Sequence, residues 1–388
     1  MNKKETNEIK KIFTPANCTI TRICGCYVDA EKNKRTEIKE AFLSLPEDEA
    51  FKYFAIFKSG LSGTVGKNLV NMEFPRFTEE EGGSQEFLLK LRDSQLKDDA
   101  ILEEFYDKLI ASYDYGENYY IIVIHCAYDI PAKSTDGIEM YDASDFVYEF
   151  IQCVVCPVKL SKAGLCYNSE TNVIENRNRD WIVEAPDTGF IFPAYTDRNT
   201  DIHGLLYYSK NPEQMPERLI DELLGCVIPM SAKNQKETFQ AIVEETLGEN
   251  CDFETVKNIH ESLNEMLEET KDEPVPFTLD KYQMKRLLEN NGASQEKLEE
   301  FEQRFEEDKE NKNSGFIASN VVNTKSFEIK TTDVSIKVAP DKTHLIENRM
   351  IDGRPSIVIG ISEHIEINGI TVRPIAAQLK ALEEDIDE

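Results

Sequence analysis

The sequence predicts an α+β protein with an N-terminal mixed α/β sheet domain, a central helical segment and a small antiparallel β module at the C-terminus. Three observations predict this class. Apolar strand-like runs dominate the chain up to residue 210, helical periodicity dominates the stretch after it, and β-rich segments with two-residue turns follow residue 314. At 388 residues the chain is too long for one ordinary core, so several domains are expected.

The first part, residues 1–210, is predicted to be the mixed α/β domain. The segments TITRICGCYV and TEIKEAFLSL predict a hairpin, and a helix is expected between Pro46 and Gly60. Two more helices are predicted for SQEFLLKLRDSQ and DDAILEEFYDKLIASY. The run NYYIIVIHCAY predicts a buried strand in which His125 is a hydrogen-bonded core imidazole. A second apolar run, DFVYEFIQCVVCPVKL, is expected to end at Pro157, and HGLLYYSK to form a later strand.

The segments after residue 210 are predicted from a change in the periodicity of the hydrophobic residues. Residues 211–313 read as a series of helices, with Gly225, Gly248 and Gly292 just past helix ends, where a left-handed cap favours glycine. Residues 314–377 are predicted to form β-hairpins, because Asp352-Gly353 and Asn368-Gly369 are typical of two-residue turns. Residues 378–388 are expected to be an acidic tail.

Charge and composition exclude several classes of protein. Lys and Arg total 44 against 73 Asp and Glu, a net charge of −29, which disfavours a protein that coats DNA with its whole surface. The start, MNKKETNEIKKIFTP, lacks the apolar stretch of a signal peptide, and no apolar run reaches the roughly 20 residues of a membrane span. We therefore expect a cytoplasmic protein that does not bind membranes, with its nine cysteines reduced.

The segment CVVCPVKLSKAGLC, residues 153–166, has the C-x-x-C spacing of a metal or redox site. Its central valines favour a strand, and residues three apart on a strand face opposite sides, so buried structural sulfur is the preferred interpretation. A metal or redox site stays open as the alternative. Its candidate residues are Cys24, Cys26, Cys153, Cys156 and Cys166.

The densest group of polar residues lies between 177 and 203, on predicted loops between strands. Carboxylates together with Arg and His can bind phosphate or a divalent ion, but the same residues also cap turns and pair with each other, and we favour turn caps and ion pairs. No cofactor is expected, because GLSGTVGKN at residues 60–68 lacks the pattern of a phosphate loop. The candidate binding residues are Arg177, Arg179, Asp180, Asp197, Arg198, Asp201 and His203.

Six segments carry a resemblance that spans nearly the full chain. They are CTITRICGCYVDAEKN, SGTVGKNLVNMEFP, GGSQEFLLKLRDSQLKDD, VCPVKLSKAGLCY, RDWIVEAPDTGFIFPAYTDRNTDIH and QKETFQAIVEE. Together they closely resemble a bacterial family catalogued only as a domain of unknown function, which implies no activity and no functional residues. The order LLYYSK, ERLIDELLGC, SAKNQKETFQAIVEE, DVSIKVAPDKTHL, SIVIGIS and IEINGITV is more distantly similar to the bacterial 37-kilodalton nucleoid-associated proteins. That likeness implies a mixed α/β half followed by a helical segment and a terminal β module.

The preferred hypothesis is a non-enzymatic cytoplasmic binding protein. Its partner is either nucleic acid, as for a nucleoid-associated protein with a basic contact near Arg177, Arg179 and Arg198, or another protein. One alternative is a metal-dependent hydrolase that uses the polar loops, with Asp197, Asp201 and His203. The other is a protein-interaction scaffold that acts through the acidic helices.

Overall fold

The computed structural model describes residues 1–133, 139–307, 315–361, 365–367 and 369–372. Asn368 and the predicted acidic tail, residues 378–388, lie outside the described residues. The chain forms two compact units. Unit 1 is Met1–Gln235 with Glu273–Pro276, and unit 2 is Lys236–Asp272 with the described residues from Phe277 onward. Both units combine helices with antiparallel strands, which confirms the predicted α+β class.

Unit 1 is built on an antiparallel sheet of eight strands. The strand order is β2-β1-β4-β5-β9-β12-β3, and β8 pairs with the end of β5. The strands of unit 1 are β1 (Ile20–Val28), β2 (Lys34–Ala41), β3 (Leu69–Glu73), β4 (Tyr119–Lys133), β5 (Glu139–Leu160), β6 (Leu165–Asn168), β7 (Val173–Asn176), β8 (Trp181–Val183), β9 (Thr188–Phe192), β10 (Ala194–Thr196), β11 (Asn199–Asp201) and β12 (Gly204–Ser209). The predicted hairpin of β1 and β2 and the predicted strands β4 and β12 are confirmed.

Helices cover both faces of this sheet. They are α1 (Lys3–Lys11), α2 (Glu47–Ser59), α3 (Ser84–Asp93) and α4 (Asp99–Ser112), together with a π-helical turn, Leu219–Leu224. Core A lies between the sheet and α3, α4 and the π-helical turn, and it includes Leu88, Phe105, Val123, Cys153 and Leu223. Core B lies on the other face against α1 and α2, and it includes Ile9, Phe57, Ile122, Val154 and Cys156. The sheet is therefore the middle of three layers.

Strand β5 contributes side chains to both cores, because every residue from 151 to 158 is buried. The expectation that this run ends at Pro157 is wrong, since β5 continues to Leu160. The missing N–H of Pro157 falls opposite Glu184, just past the end of β8, while the Pro157 carbonyl still accepts a hydrogen bond from Glu184 N at 2.8 Å. A proline at that position costs the ladder only one terminal bond.

Unit 2 contains most of α5 (Ala232–Leu247), then α6 (Phe253–Glu269), α7 (Lys281–Asn290), α8 (Gln295–Glu307) and a short α9 (Ala318–Val321). Phe316 anchors its core, with ring centroids 6.3 Å from Phe239 and 6.2 Å from Phe305. Its strands are β13 (Thr278–Leu279), β14 (Phe316–Ile317), β15 (Phe327–Lys330), β16 (Ser335–Val338), β17 (Ile346–Ile351), β18 (Arg354–Ile359), β19 (Ile365–Ile367) and β20 (Ile370–Val372), paired in sequence as two-stranded sheets.

The predicted turn between β17 and β18 is confirmed by its backbone angles. Asp352 has φ 49° and Gly353 has φ 75°, the left-handed conformation that a two-residue turn of this type requires at both central positions. Over the ranges that the structure describes, no helix combines the length and apolar character needed to cross a bilayer.

Candidate functional site

Residues 165–183 of unit 1 expose several large hydrophobic side chains. Seven of them are 39% to 74% exposed, although isolated apolar residues are the norm on a protein surface. A concentration of this kind marks an interaction site in most soluble proteins. The seven residues are Leu165, Tyr167, Val173, Ile174, Trp181, Ile182 and Val183.

The hairpin of β6 and β7 arranges part of this group on one face. Tyr167 lies opposite Ile174, and Leu165 lies opposite Asn176. Directly opposite residues share a face of an antiparallel pair, so Leu165, Tyr167 and Ile174 lie side by side. The hairpin turn places Asn172 at φ 55°, and the Tyr167 hydroxyl donates to its Oδ1. The turn thus holds the Tyr167 ring across the end of the hairpin.

Strand β8 is held against the end of β5 by backbone and side-chain bonds. Trp181 is opposite Leu160 in this pair. Arg179 Nε donates to the carbonyl of Ser161 at 2.7 Å, and the N–H of Asp180 donates to the Ser161 hydroxyl at 3.1 Å. These two bonds fix the loop that leads into β8, so the guanidinium of Arg179 lies next to the start of the exposed strand.

Four cations lie on or next to the strands that carry these hydrophobic residues. Lys159, Lys162, Arg177 and Arg179 are all exposed, and none of them forms an ion pair with another residue in the described ranges. The same stretch exposes four carboxylates that also form no ion pair in the described ranges, Glu170, Glu175, Asp180 and Glu184, so the charges here are of both signs. We call the four cations and the seven hydrophobic residues the β6–β8 surface. Arg177, Arg179 and Asp180 of the predicted polar group lie on it.

Asp197 and Arg198 lie elsewhere, at the turn between β10 and β11. The N–H of Asp197 donates to Glu5 Oε1 at 2.7 Å, and Arg198 donates to Glu8 Oε2 at 3.3 Å and to the carbonyl of Pro131 at 2.9 Å. Both turn residues have positive φ, 50° and 59°. These contacts tie the turn to α1 and to the outer part of β4, so they have a structural role.

Glu8 is the centre of that contact. Its carboxylate also accepts hydrogen bonds from the hydroxyls of Tyr128 at 3.0 Å and Tyr195 at 3.1 Å. The Glu8 and Arg198 side chains are only 20% and 23% exposed, so this ion pair is largely screened from water. A carboxylate with three donors is already satisfied and offers little capacity for a further ligand.

Asp201 and His203 complete the group, at the loop between β11 and β12. Asp201 Oδ1 accepts from the N–H of His203 at 3.1 Å, which caps the turn. His203 Nδ1 lies 2.8 Å from Glu79 Oε1, and this hydrogen bond raises the pKa of His203. Among the described residues no group of three or more His, Cys, Asp or Glu side chains is placed to hold a metal ion.

The seven predicted residues are therefore not one site. Arg198 bonds to Pro131, which is opposite Ser144 near the start of β5, whereas Arg179 bonds to Ser161 just beyond its end. At about 3.3 Å per residue, this interval of β5 corresponds to a separation on the order of 50 Å. The three arginines expected to make one basic contact thus split into a pair and a distant single residue.

A family model described as a domain of unknown function, DUF4317, matches residues 1–370. The chain belongs to this family. No curated protein matches the sequence. The DUF4317 description assigns no activity.

The cysteines of this DUF4317 chain are distributed over both cores of unit 1 and several partly exposed positions. Cys153 lies in core A with Cys24 and Cys26, whereas Cys156 lies in core B, so the two halves of the C-x-x-C face opposite sides of the sheet, as predicted. Burial raises the pKa of Cys26 to about 12 and also raises the pKa of Cys153 and Cys156, which disfavours the thiolate form. Cys166 lies apart on β6 and is partly exposed.

The glycine of the N-terminal CGC sequence also has a packing reason. A Cβ on Gly25 would lie 2.1 Å from the hydroxyl oxygen of Tyr120, whose ring packs directly over the strand. The small residue between Cys24 and Cys26 therefore makes room for an aromatic ring. It does not form the tight turn of a zinc knuckle.

Sequence reasoning missed the hydrophobic half of the β6–β8 surface. The sequence of Trp181, Ile182 and Val183 is typical of a short strand, but an apolar strand has the same pattern whether it is buried or exposed. One signal was present. The three residues directly follow Arg177, Arg179 and Asp180, and a run of charges beside a short apolar strand is unusual for a buried element.

Proposed function

We propose that this DUF4317 chain is a non-enzymatic binding protein that contacts another protein through the β6–β8 surface. The observation that carries this proposal is the exposure of seven large hydrophobic residues within residues 165–183. Five of the seven are aliphatic, a composition that fits a protein interface, and exposed Trp, Tyr and Arg are the residues that most often dominate binding energy at such interfaces.

Charges of both signs lie beside the hydrophobic residues, and they offer ion pairs to a partner protein. Lys159, Lys162, Arg177 and Arg179 lack ion-pair partners within the described residues, so they are available to carboxylates of another chain. Complementary charges at the rim of an interface chiefly raise the association rate and exclude wrong partners. We therefore expect binding that weakens as salt is added.

Site-specific photo-crosslinking in cells tests this proposal. A photoreactive amino acid at Ile174, which is 60% exposed on the β6–β8 surface, is compared with one at Phe77, which is 72% exposed elsewhere in unit 1. Discrete protein adducts are expected from position 174 and not from position 77. The same adducts from both positions, or no adducts from position 174, would refute a specific interface on this surface.

Nucleic acid is the second candidate partner, as the distant likeness to nucleoid-associated proteins implies. It is favoured by two exposed aromatic rings, Tyr167 and Trp181, beside Arg177 and Arg179, because rings and cations together bind single strands by stacking and charge. The net charge of −29 opposes it.

Gel shifts at low salt decide between these partners. If nucleic acid binds here, changing Arg177 and Arg179 together to alanine abolishes the shift. Arg198→Ala is the matched control, because that arginine bonds to Glu8 and Pro131 far from the surface. No shift with the unchanged protein removes this second candidate.

We also propose a cytoplasmic location. All nine cysteines are free, which fits a reducing compartment. Cell fractionation followed by immunoblotting is expected to place the protein in the cytoplasmic fraction, and recovery outside the cell would contradict it.

A further inference from the structure

Strand β2 is an open edge at one end of the eight-stranded sheet. It pairs with β1, and no strand in the described ranges pairs with its outer side. Every residue from Lys34 to Ala41 is exposed or partly exposed. An open edge of this length presents backbone donors and acceptors that another extended chain can pair with.

The hydrogen bonds of the inner strands determine which backbone groups of β2 face outward. The carbonyl of Asn118, just before β4, accepts a hydrogen bond from β5 at 2.9 Å, so even-numbered residues of β4 bond to β5 and odd-numbered residues bond to β1. Directly opposite residues of an antiparallel pair turn the same way, so Gly25 of β1 bonds to Ile38 of β2. The alternate residues Glu37 and Lys39 therefore direct their N–H and C=O groups away from the sheet.

The charges of β2 complement a second copy of the same strand. If two copies run antiparallel about a two-fold axis at Ile38, Glu37 of each copy lies opposite Lys39 of the other. These two residues also offer their outward N–H and C=O groups to each other. Opposite charges that face each other stabilise such a pair, whereas like charges destabilise it. An axis at residue 37 or 39 would place Glu against Glu or Lys against Lys, so the charges favour the register centred on Ile38.

The remaining charges of this edge do not oppose that register. Within one copy, Lys39 lies 3.4 Å from Glu37 and 2.9 Å from Asp99, so a second copy extends an existing ion network. The Glu37 and Lys39 side chains are 27% and 30% exposed, so they keep contact with water. The other charged residues of β2 are Lys34, bonded to Glu103 and Asp107 of α4, Arg35, bonded to Asp29, and Glu40, which would face the uncharged Thr36 of the other copy.

We propose that two copies of this chain associate through β2, which joins their sheets into one continuous sheet. Charges on an edge strand normally discourage pairing, but here Glu37 and Lys39 each meet an opposite charge. The net charge of −29 on each copy opposes association, and at physiological ionic strength this repulsion is screened beyond about 8 Å. The association does not involve the β6–β8 surface, because β8 pairs with β5 and β2 lies at the end of the sheet.

Sedimentation velocity of the full chain over a series of concentrations measures the association, and we expect a dimer in equilibrium with the monomer. Glu37→Lys and Lys39→Glu each place like charges opposite each other and should weaken the dimer at least about tenfold, which corresponds to about 1.4 kcal/mol. An equal mixture of these two variants should recover a dimer, because opposite charges then face each other again. Glu40→Lys makes the same change in charge opposite the uncharged Thr36 and should leave the dimer unchanged.

A thiol introduced at the axis reports the register. Two copies of residue 38 would form a non-hydrogen-bonded pair with Cα atoms about 4.5 Å apart, a separation that a disulfide can span. Ile38→Cys should therefore give a disulfide-linked dimer under mild oxidation. Thr36→Cys is the matched control, because its counterpart in the other copy would lie about 13 Å further along the strand. The unchanged protein measures the background from its nine free cysteines.

Several outcomes would overturn association through β2. They are a monomer at every concentration, a dimer that both Glu37→Lys and Lys39→Glu retain, no recovery when these folded variants are mixed, or linkage through Thr36→Cys instead of Ile38→Cys. Circular dichroism and thermal unfolding show whether each variant is folded. The photo-crosslinking at Ile174 does not depend on β2, so the proposed function and this association can fail separately.

Discussion

His125 makes the stability of unit 1 depend on pH. Its imidazole is fully buried in the sheet, Nδ1 lies 2.7 Å from Thr21 Oγ1, and Nε2 has no hydrogen-bond partner in the described part of the chain. The prediction of a hydrogen-bonded core imidazole is confirmed. Burial lowers the pKa of His125, and the nearby Arg92 adds to this effect while Glu149 opposes it. The folded protein therefore keeps the imidazole neutral.

The sign of the effect follows from proton linkage. A group whose pKa is lower in the folded state takes up a proton on unfolding, so unit 1 loses stability as the pH falls below the unfolded pKa of about 6.5. Between pH 7.5 and pH 5.5 one such imidazole lowers the free energy of unfolding by at most about 1.4 kcal/mol. The contribution is fully present above about pH 7.5.

The change that tests this is His125→Asn, which keeps a hydrogen-bonding group near Thr21 but does not titrate. Urea unfolding is followed by the fluorescence of Trp181, which lies in unit 1 and reports on that unit. We expect the variant to be less stable than the unchanged protein by about 1–3 kcal/mol at pH 7.5, because the smaller side chain leaves a cavity. The difference should shrink by up to about 1.4 kcal/mol at pH 5.5.

His203→Asn serves as the control with the opposite sign. The hydrogen bond to Glu79 raises the pKa of the exposed His203, so the unchanged protein should gain stability relative to this variant as the pH falls. A difference for His125→Asn that stays constant or widens on acidification would refute the conclusion that the buried imidazole is held neutral.

Three further changes test the Glu8 contact, the thiols and a helix cap. Glu8→Ala removes the acceptor shared by Tyr128, Tyr195 and Arg198 and should lower the free energy of unfolding by about 1–3 kcal/mol in urea titration. Glu8→Gln keeps an acceptor and should lower it less. Equal losses in the two variants would contradict this prediction. A thiol reagent followed by mass mapping should modify Cys166 well before Cys153 or Cys156, and similar rates would mean that the buried thiols are accessible. Asp98→Ala removes the acceptor for the N–H groups of Ala100 and Ile101 at the start of α4 and should lower the free energy of unfolding by about 1 kcal/mol in the same titration. Asp99→Ala breaks an exposed ion pair with Lys39 and should lower it less. A larger loss for Asp99→Ala than for Asp98→Ala would argue against the cap.

Elements whose signals are local were predictable from the sequence. The strand β4 follows from its apolar run, the end of α2 from Gly60, and the turn between β17 and β18 from Asp352-Gly353. The opposite orientation of Cys153 and Cys156 followed from the two valines between them. Each of these conclusions depends on residues within one turn or one strand.

Pairings between distant segments were not predictable in the same way. Nothing near β3 indicates that it pairs with β12, far along the chain, or that β8 extends the end of β5. The candidate site failed for the same reason. Arg179 and Arg198 are close in sequence, but Arg198 is held by Glu8 of α1 and Arg179 by Ser161, and these partners lie at opposite ends of β5. The predicted site assumes that residues close in sequence are also close in space. The long strand β5 separates the partners that hold the two arginines, so the assumption fails here.

Because both faces of β5 are buried, its register is decided by the two helical layers jointly. A shift by one residue would exchange the side chains of core A and core B and would move Gln152, whose Nε2 donates to the carbonyl of Phe57 in α2, to the wrong side of the sheet. Neither layer alone can correct such an error. Deleting α1 and α2, or α3 and α4, should therefore leave no folded half of unit 1, and its strands should acquire protection from hydrogen exchange as one cooperative block.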